Sequence, residues 1–170
     1  MEKLISTGPE KVIFLDIDGV LNSNRSTEPI IAEDMVKRLA HIARKTGASI
    51  VLSSSWRYEY ARHINSESDY YDKDVDRLII LLKKYGLEIA DITPLSYING
   101  ANARPYEIRT WLAGRANVKR FVILDDEFWL WNYLEDFVVC TMHMASGGIT
   151  TYGLTDYDAQ KAVDILADKA

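Results

Sequence analysis

Cysteine is almost missing from this chain. Cys140 stands alone, so no internal disulfide can form, and a reducing compartment is the natural setting. It lies in the apolar run Phe137-Val138-Val139-Cys140, which suits a buried thiol better than a nucleophile. Histidine is also sparse: His41, His63 and His143 show no metal-ligand spacing and read as surface or packing residues. No apolar run approaches the length that crosses a membrane, and Met1 to Lys11 lacks the apolar centre of a secretion signal. The chain is therefore expected in the cytoplasm, with no membrane partner. Positive charge is not in excess: 20 Lys and Arg stand against 25 Asp and Glu, a net charge of −5. That argues against a protein that coats nucleic acid non-specifically, while leaving room for one local basic groove. Repeats, linkers and low-complexity tracts are missing too, and the 170 residues are expected to form one domain, 1–170, with a substantial core.

What the chain does have is a run around which the rest is organised, Val12-Ile13-Phe14-Leu15-Asp16-Ile17-Asp18-Gly19-Val20-Leu21-Asn22. Its apolar start reads as a strand buried on both faces. Asp-Ile-Asp-Gly cannot continue such a strand without leaving two carboxylates in the core. The chain must leave the sheet near Asp16, and Gly19 permits the sharp turn that follows. Carboxylates at the carboxyl end of a central parallel strand sit where open α/β sheets place their ligands. Two held so close call for a divalent cation to offset their repulsion. The plain alternative is a polar turn, which the buried strand just before it disfavours.

Further along, helical spacing of Ile31, Met35, Leu39, Ile42 and Ala43 predicts a helix over 31–46, closed by Gly47. A second buried strand, 48–52, stops at the hydroxyl-rich Ser53-Ser54-Ser55-Trp56-Arg57. Residues 58–76 carry Tyr58, Tyr60, Tyr70 and Tyr71 with little periodicity, and read as a short helix followed by an exposed loop, a small cap or a substrate rim. A helix is expected over 75–85, with Leu78, Ile79, Leu81 and Leu82 inward, then a short strand over 87–90. Pro105 suits the first position of a helix reaching Ala113. The strand 120–124 again ends in acids, Asp125-Asp126-Glu127. A short helix over 129–134, a last strand over 137–141, a loop at Gly147-Gly148 and a helix from Asp156 complete the chain. The alternation predicts an α/β fold: a doubly wound, Rossmann-like parallel sheet with helices on both sides.

Three of these buried strands end in groups suited to phosphate or metal: Asp16 and Asp18, Ser53, and Asp125 with Asp126. In a parallel sheet the ends share one edge, so residues distant in sequence converge. This set, with Gly19-Val20 after the acids and a cation near a helix start, resembles the haloacid dehalogenase-like (HAD) superfamily of phosphohydrolases over roughly residues 12–127. Within it, Leu21-Asn22, Ser-Ser-Ser-Trp-Arg, Leu-Asp-Asp-Glu and Tyr152-Gly153-Leu154-Thr155 are similar to the compact HAD domain of Swiss-army-knife RNA repair proteins. The resemblance implies a nucleophile, Asp16, that forms an aspartyl-phosphate, and an acid and base, Asp18. It implies Mg²⁺ held by Asp16, the backbone carbonyl of Asp18, and Asp125 or Asp126. Ser53 and the N–H groups of the Asp loop, with Gly19 and Ser54 beside them, would hold the phosphoryl oxygens.

The family commonly supplies its phosphate-steadying cation as Lys. The candidates here are Arg104, before the Pro105 helix, and Arg57, through the serine loop. Arg109 is further along that helix and faces elsewhere. Trp56, Trp111, Trp129 and Trp131 read as core or rim aromatics. The segment after Asn22 is too short for a large cap, so the site should open between 23–29 and 58–71, with Arg57, Arg62 and Arg104 as a positive rim. An open site suits a large phosphorylated substrate, such as a polynucleotide end. The alternatives are a small-molecule phosphatase and a module that binds Mg²⁺ or phosphate without turnover.

Overall fold

The computed structural model describes residues 8–23, 30–65, 71–95, 103–127, 133–145 and 147–167. Its frame is a five-stranded parallel sheet in the order β3-β2-β1-β4-β5, with β1 at the centre. The strands are β1 Lys11–Leu15, β2 Ser49–Leu52, β3 Ile89–Ile92, β4 Arg120–Asp125 and β5 Val138–Cys140. Between them run α1 Glu33–Thr46, α2 Arg57–Ile64, α3 Lys73–Lys84 and α4 Ala103–Ala113. An antiparallel hairpin follows, β6 Met142–Ala145 with β7 Ile149–Tyr152, and then α5 Asp156–Leu166. The α/β, Rossmann-like architecture expected from the alternation of elements is the one observed.

Successive side chains of a strand point to opposite faces, and here both faces are covered. Ile13 and Leu15 of β1 join one cluster with Leu39 and Ile42 of α1, Leu78 and Leu82 of α3, and Ala162 and Leu166 of α5. Val12 and Phe14 join the other, with Ile108 and Trp111 of α4. There Phe14 meets the Trp111 ring edge-on, with centroids 5.3 Å apart. An apolar central strand thus has a physical reason to be uninterrupted, and the chain becomes polar only where it emerges.

Several element boundaries differ from expectation. The third strand begins at Ile89, not Leu87, because Leu87 closes the preceding helix: its N–H donates to Leu82 O at 2.9 Å, across Gly86 in the left-handed region at φ 71°. Ile79, expected inward, is half-buried, and Val75, expected only as the start of the helix, is buried with Leu78, Leu81 and Leu82. Pro105 is the third residue of α4, still within the first turn, where its missing N–H costs nothing. Phe137 ends a 3₁₀ turn over Glu135–Phe137, so the last parallel strand starts at Val138. The region read as loop around Gly147-Gly148 is the tip of the β6–β7 hairpin, with both glycines at positive φ. The expected flap at 23–29 and the helix at 129–134 fall mostly outside the described residues, as do Tyr70, Trp129 and Trp131. Among the described residues no helix is long and apolar enough to cross a membrane.

Candidate active site

The sheet register assembles the site. Leu15 of β1 is level with Leu52 on one side and with Leu124 on the other. The residues that follow, Asp16, Ser53 and Asp125, therefore emerge side by side. Backbone bonds carry the ladder up to this point: Ser53 N–H donates to Leu15 O at 2.9 Å, and Asp16 N–H to Leu124 O at 3.0 Å. Asp16 and Asp125 are almost wholly enclosed, at 2% and 0% exposure. A parallel sheet that breaks off into polar residues on three adjacent strands must put those groups together.

Past Asp16 the chain turns sharply. Val20 and Leu21 N–H groups both return to Ile17 O, and Gly19 sits at φ 72°. A side chain at Gly19 is barred twice, by that backbone and by Asp126, whose Cγ would lie 2.5 Å from an added Cβ. The turn is held from the far end of the chain as well. Thr141 Oγ1 donates to Gly19 O at 2.7 Å, and Leu154 N–H to Val20 O at 2.9 Å.

The Asp18 side chain is exposed and gripped by two donors: Asn22 Nδ2 at 2.9 Å on Oδ1 and Trp56 Nε1 at 2.9 Å on Oδ2. Asn22 in turn accepts from Gly19 N–H at 2.7 Å. Trp56, read in the sequence as a core or rim aromatic, is thus a partner of the expected acid and base. Its indole N–H was the available signal, since a half-buried indole seeks an acceptor. Thr141 was missed for a different reason: nothing local marks a threonine whose partner lies 122 residues away.

The expected cations separate. Arg104, at the start of α4, places Nη1 3.1 Å from Asp16 Oδ2 and 2.5 Å from Asp125 Oδ2. Arg57 requires correction as a phosphate contact. It is 4% exposed, donates to Ser54 O at 2.8 Å, and pairs with the buried Glu107 at 2.6 Å. Its guanidinium is held against the serine-loop carbonyls by Glu107, a buried anion unremarked in the sequence. Arg62 pairs with Glu59 at 3.3 Å on an exposed face of α2. The positive rim expected from three arginines is therefore reduced.

Three carboxylates, from Asp16, Asp125 and Asp126, each bring an oxygen within 4.8 Å of the others. Their protonation shows the strain of that arrangement. Burial pushes Asp125 up to about 7, with Arg104 pulling it back and Asp16 adding to the rise. Asp126 is pushed up to about 6, by burial first and by Asp16 next. Asp16 is raised too; burial outweighs Arg104, the Ser54 hydroxyl and the Ile17 N–H, which favour its charge. Burial works against the charge on Arg104, yet Asp16 and Asp125 raise its pKa overall. One guanidinium among three carboxylates leaves negative charge uncompensated.

These residues fit a hard divalent cation. All the donors are oxygens, and the buried Asp16 Oδ1 has no well-formed hydrogen bond among the described residues. The buried Ser53 hydroxyl likewise has no partner among them, although its own N–H is paired to Leu15 O.

A pH dependence follows. Asp125 and Asp126 have folded values above the ordinary 3.8, so the folded state binds more protons than the unfolded chain as pH rises from about 4 through 7. Stability contributed by these protons is present at acid pH and is lost on the way up. Glu33, held near 2 chiefly by its bond to Lys84, acts in the opposite sense but only below its ordinary 4.5. We expect the melting temperature of chelator-treated protein to fall by about 5 °C or more between pH 5 and pH 8. Saturating Mg²⁺ should restore most of that loss at pH 8. A melting temperature that rises over this window, or one that Mg²⁺ leaves unmoved, would contradict the charge balance described.

Comparison with curated proteins gives no match, and comparison with solved structures gives none either. The family described as the HAD domain in Swiss Army Knife RNA repair proteins matches residues 12–158. That span runs from the central strand through the clustered carboxylates to the capping box of α5, where Thr155 and Asp158 bond each other's backbone N–H groups. With the match covering most of the sequence, the chain belongs to this HAD family, which supports a phosphohydrolase-type role for the carboxylates gathered at the sheet edge.

Proposed function

We propose that the protein is a Mg²⁺-dependent phosphomonoesterase that works through an aspartyl-phosphate on Asp16. The observation that carries this reading is the state of Asp16: buried, held at Oδ2 by Arg104, and next across the sheet to Ser53, whose buried hydroxyl has no partner among the described residues. That is the arrangement of an oriented nucleophile next to an oxygen-binding position.

The Asp16 carboxylate attacks phosphorus as the bond from phosphorus to the ester oxygen breaks. Asp18, the exposed acid, gives its proton to the departing oxygen. It then takes a proton from water, which attacks the same phosphorus; the bond to Asp16 breaks, and inorganic phosphate leaves. Asn22 and Trp56 keep the Asp18 carboxylate facing the loop in the second step. Arg104 and Ser53 steady the phosphoryl oxygens, and Arg104 also keeps Asp16 charged. Asp16, Asp125 and Asp126, with the backbone carbonyl of Asp18, would hold Mg²⁺, which supplies Lewis acidity and offsets the repulsion between anionic nucleophile and anionic ester.

For the substrate, we favour the phosphorylated end of a polynucleotide. The support is the family description, which concerns RNA repair proteins, and an Asp18 side chain that is exposed rather than roofed. One observation favours a compact ester instead. The cavity of about 370 Å³ beside Trp56 is lined by Glu59, Asp72 and Asp74, which would repel a run of phosphates. Salt dependence separates the two readings. An end-phosphorylated oligonucleotide that touches several phosphates should lose kcat/KM with salt more steeply than a mononucleotide. Equal slopes, with the mononucleotide the better substrate, would leave a small-molecule phosphatase. Absence of turnover on both, with and without Mg²⁺, would favour a binding module.

A further inference from the structure

The buried pair of Arg57 and Glu107 has no part in the reaction as derived above, yet both side chains are withdrawn from water, at 4% and 2% exposure. A buried ion pair contributes little net stability over apolar residues of the same shape, because both charges must be desolvated. Its value here is geometric. Arg57 Nη1 donates to Ser54 O at 2.8 Å and, more weakly, to Ser53 O at 3.4 Å, while Nη2 reaches Glu107 Oε1 at 2.6 Å. Glu107 stands three residues after Arg104, about one turn further along α4. One planar guanidinium therefore ties the backbone of the serine loop to the helix that carries Arg104. These are the two sides of the space next to Asp16: Ser53 brings a hydroxyl from β2, and Arg104 reaches Asp16 from α4.

We propose that Arg57 and Glu107 are positioning residues that set the spacing between the Ser53 hydroxyl and the Arg104 guanidinium across the bound phosphoryl group. The inference rests on the phosphomonoesterase reading. Lys cannot replace Arg57 in this role: it keeps the charge, but three donors on one nitrogen do not span the reach from two carbonyls to a carboxylate that the two Nη atoms cover.

The test is a double-mutant cycle with Arg104, using p-nitrophenyl phosphate and Mg²⁺. Arg57→Lys should lower kcat by about 30-fold while changing KM less than about 3-fold, since a misplaced group costs the transition state more than the ground state. Inorganic phosphate should inhibit this variant more weakly than wild type. In an Arg104→Ala background, adding Arg57→Lys should cost less than about 3-fold further, because the spacing no longer has a second side. A structural pair would behave otherwise: the two effects would multiply, or kcat would hold while the melting temperature fell. Either result would overturn the proposal. If Arg57→Lys does not fold, Glu107→Gln carries the same cycle, with the same direction expected and a smaller size. Wild type that fails to turn over the ester would remove the phosphomonoesterase reading and the inference with it. Active wild type with multiplying effects would remove the inference alone.

Discussion

Asp16→Asn is expected to lower kcat by about 1,000-fold or more while leaving the fold intact. The amide cannot form the acyl phosphate, and the carboxylate next to it on β4 is already engaged. Asp125 is engaged by Arg104 on one oxygen and by Glu127 N–H, at 2.8 Å, on the other. The same change should not destabilise the chain near pH 8. Burial raises the pKa of Asp16, so its charge is held at a cost, and a neutral amide also relieves its repulsion of Asp125 and Asp126. Turnover and thermal melting on one preparation check both halves. Activity kept at a tenth of wild type would show that Asp16 is not the nucleophile.

Asp125→Ala should raise the Mg²⁺ concentration needed for half-maximal activity by about 100-fold, and Asp126→Ala by about 10-fold. The order follows from how the two are held. Asp125 lies at 0% exposure in register with Asp16 and bonds Arg104, so its loss frees a buried cation as well as a ligand. Asp126 is half-buried and packs against Gly19, where water can take over part of its function. A Mg²⁺ titration of each variant gives the answer. The reverse order would make Asp126 the principal ligand; unchanged Mg²⁺ dependence in both would take this strand end out of the site.

The parts of the molecule that could be read from the sequence are those whose cause is local. β1 announces itself because four consecutive apolar residues give way at once to Asp16 and Asp18, and burial punishes any other reading. Parallel topology then does the long-range work: if three strands end in Asp16, Ser53 and Asp125, their register brings those ends level without further information. Arg57 shows the limit. An arginine after a serine loop has the same local appearance whether it faces a phosphate or a carboxylate, and only the packing of α4 brings Glu107 beneath it, 50 residues later in the chain. Trp56 and Thr141 are similar, since a donor's acceptor is not written beside it. The hairpin at β6 and β7 was harder still, with strands of four residues each and a Gly-Gly tip that reads equally as loop.

The central claim is that a phosphoryl group passes through Asp16, and chemical trapping tests it most directly. Asp18→Asn, given p-nitrophenyl phosphate and Mg²⁺, should release a burst of one nitrophenolate per protein. Such a leaving group needs no proton to depart, while hydrolysis of the acyl phosphate still lacks its base. Borohydride added at the end of the burst reduces an acyl phosphate to an alcohol, so peptide mapping should find homoserine at position 16. A burst with the reduced residue elsewhere, or steady wild-type turnover with no reducible residue in either protein, would contradict the account.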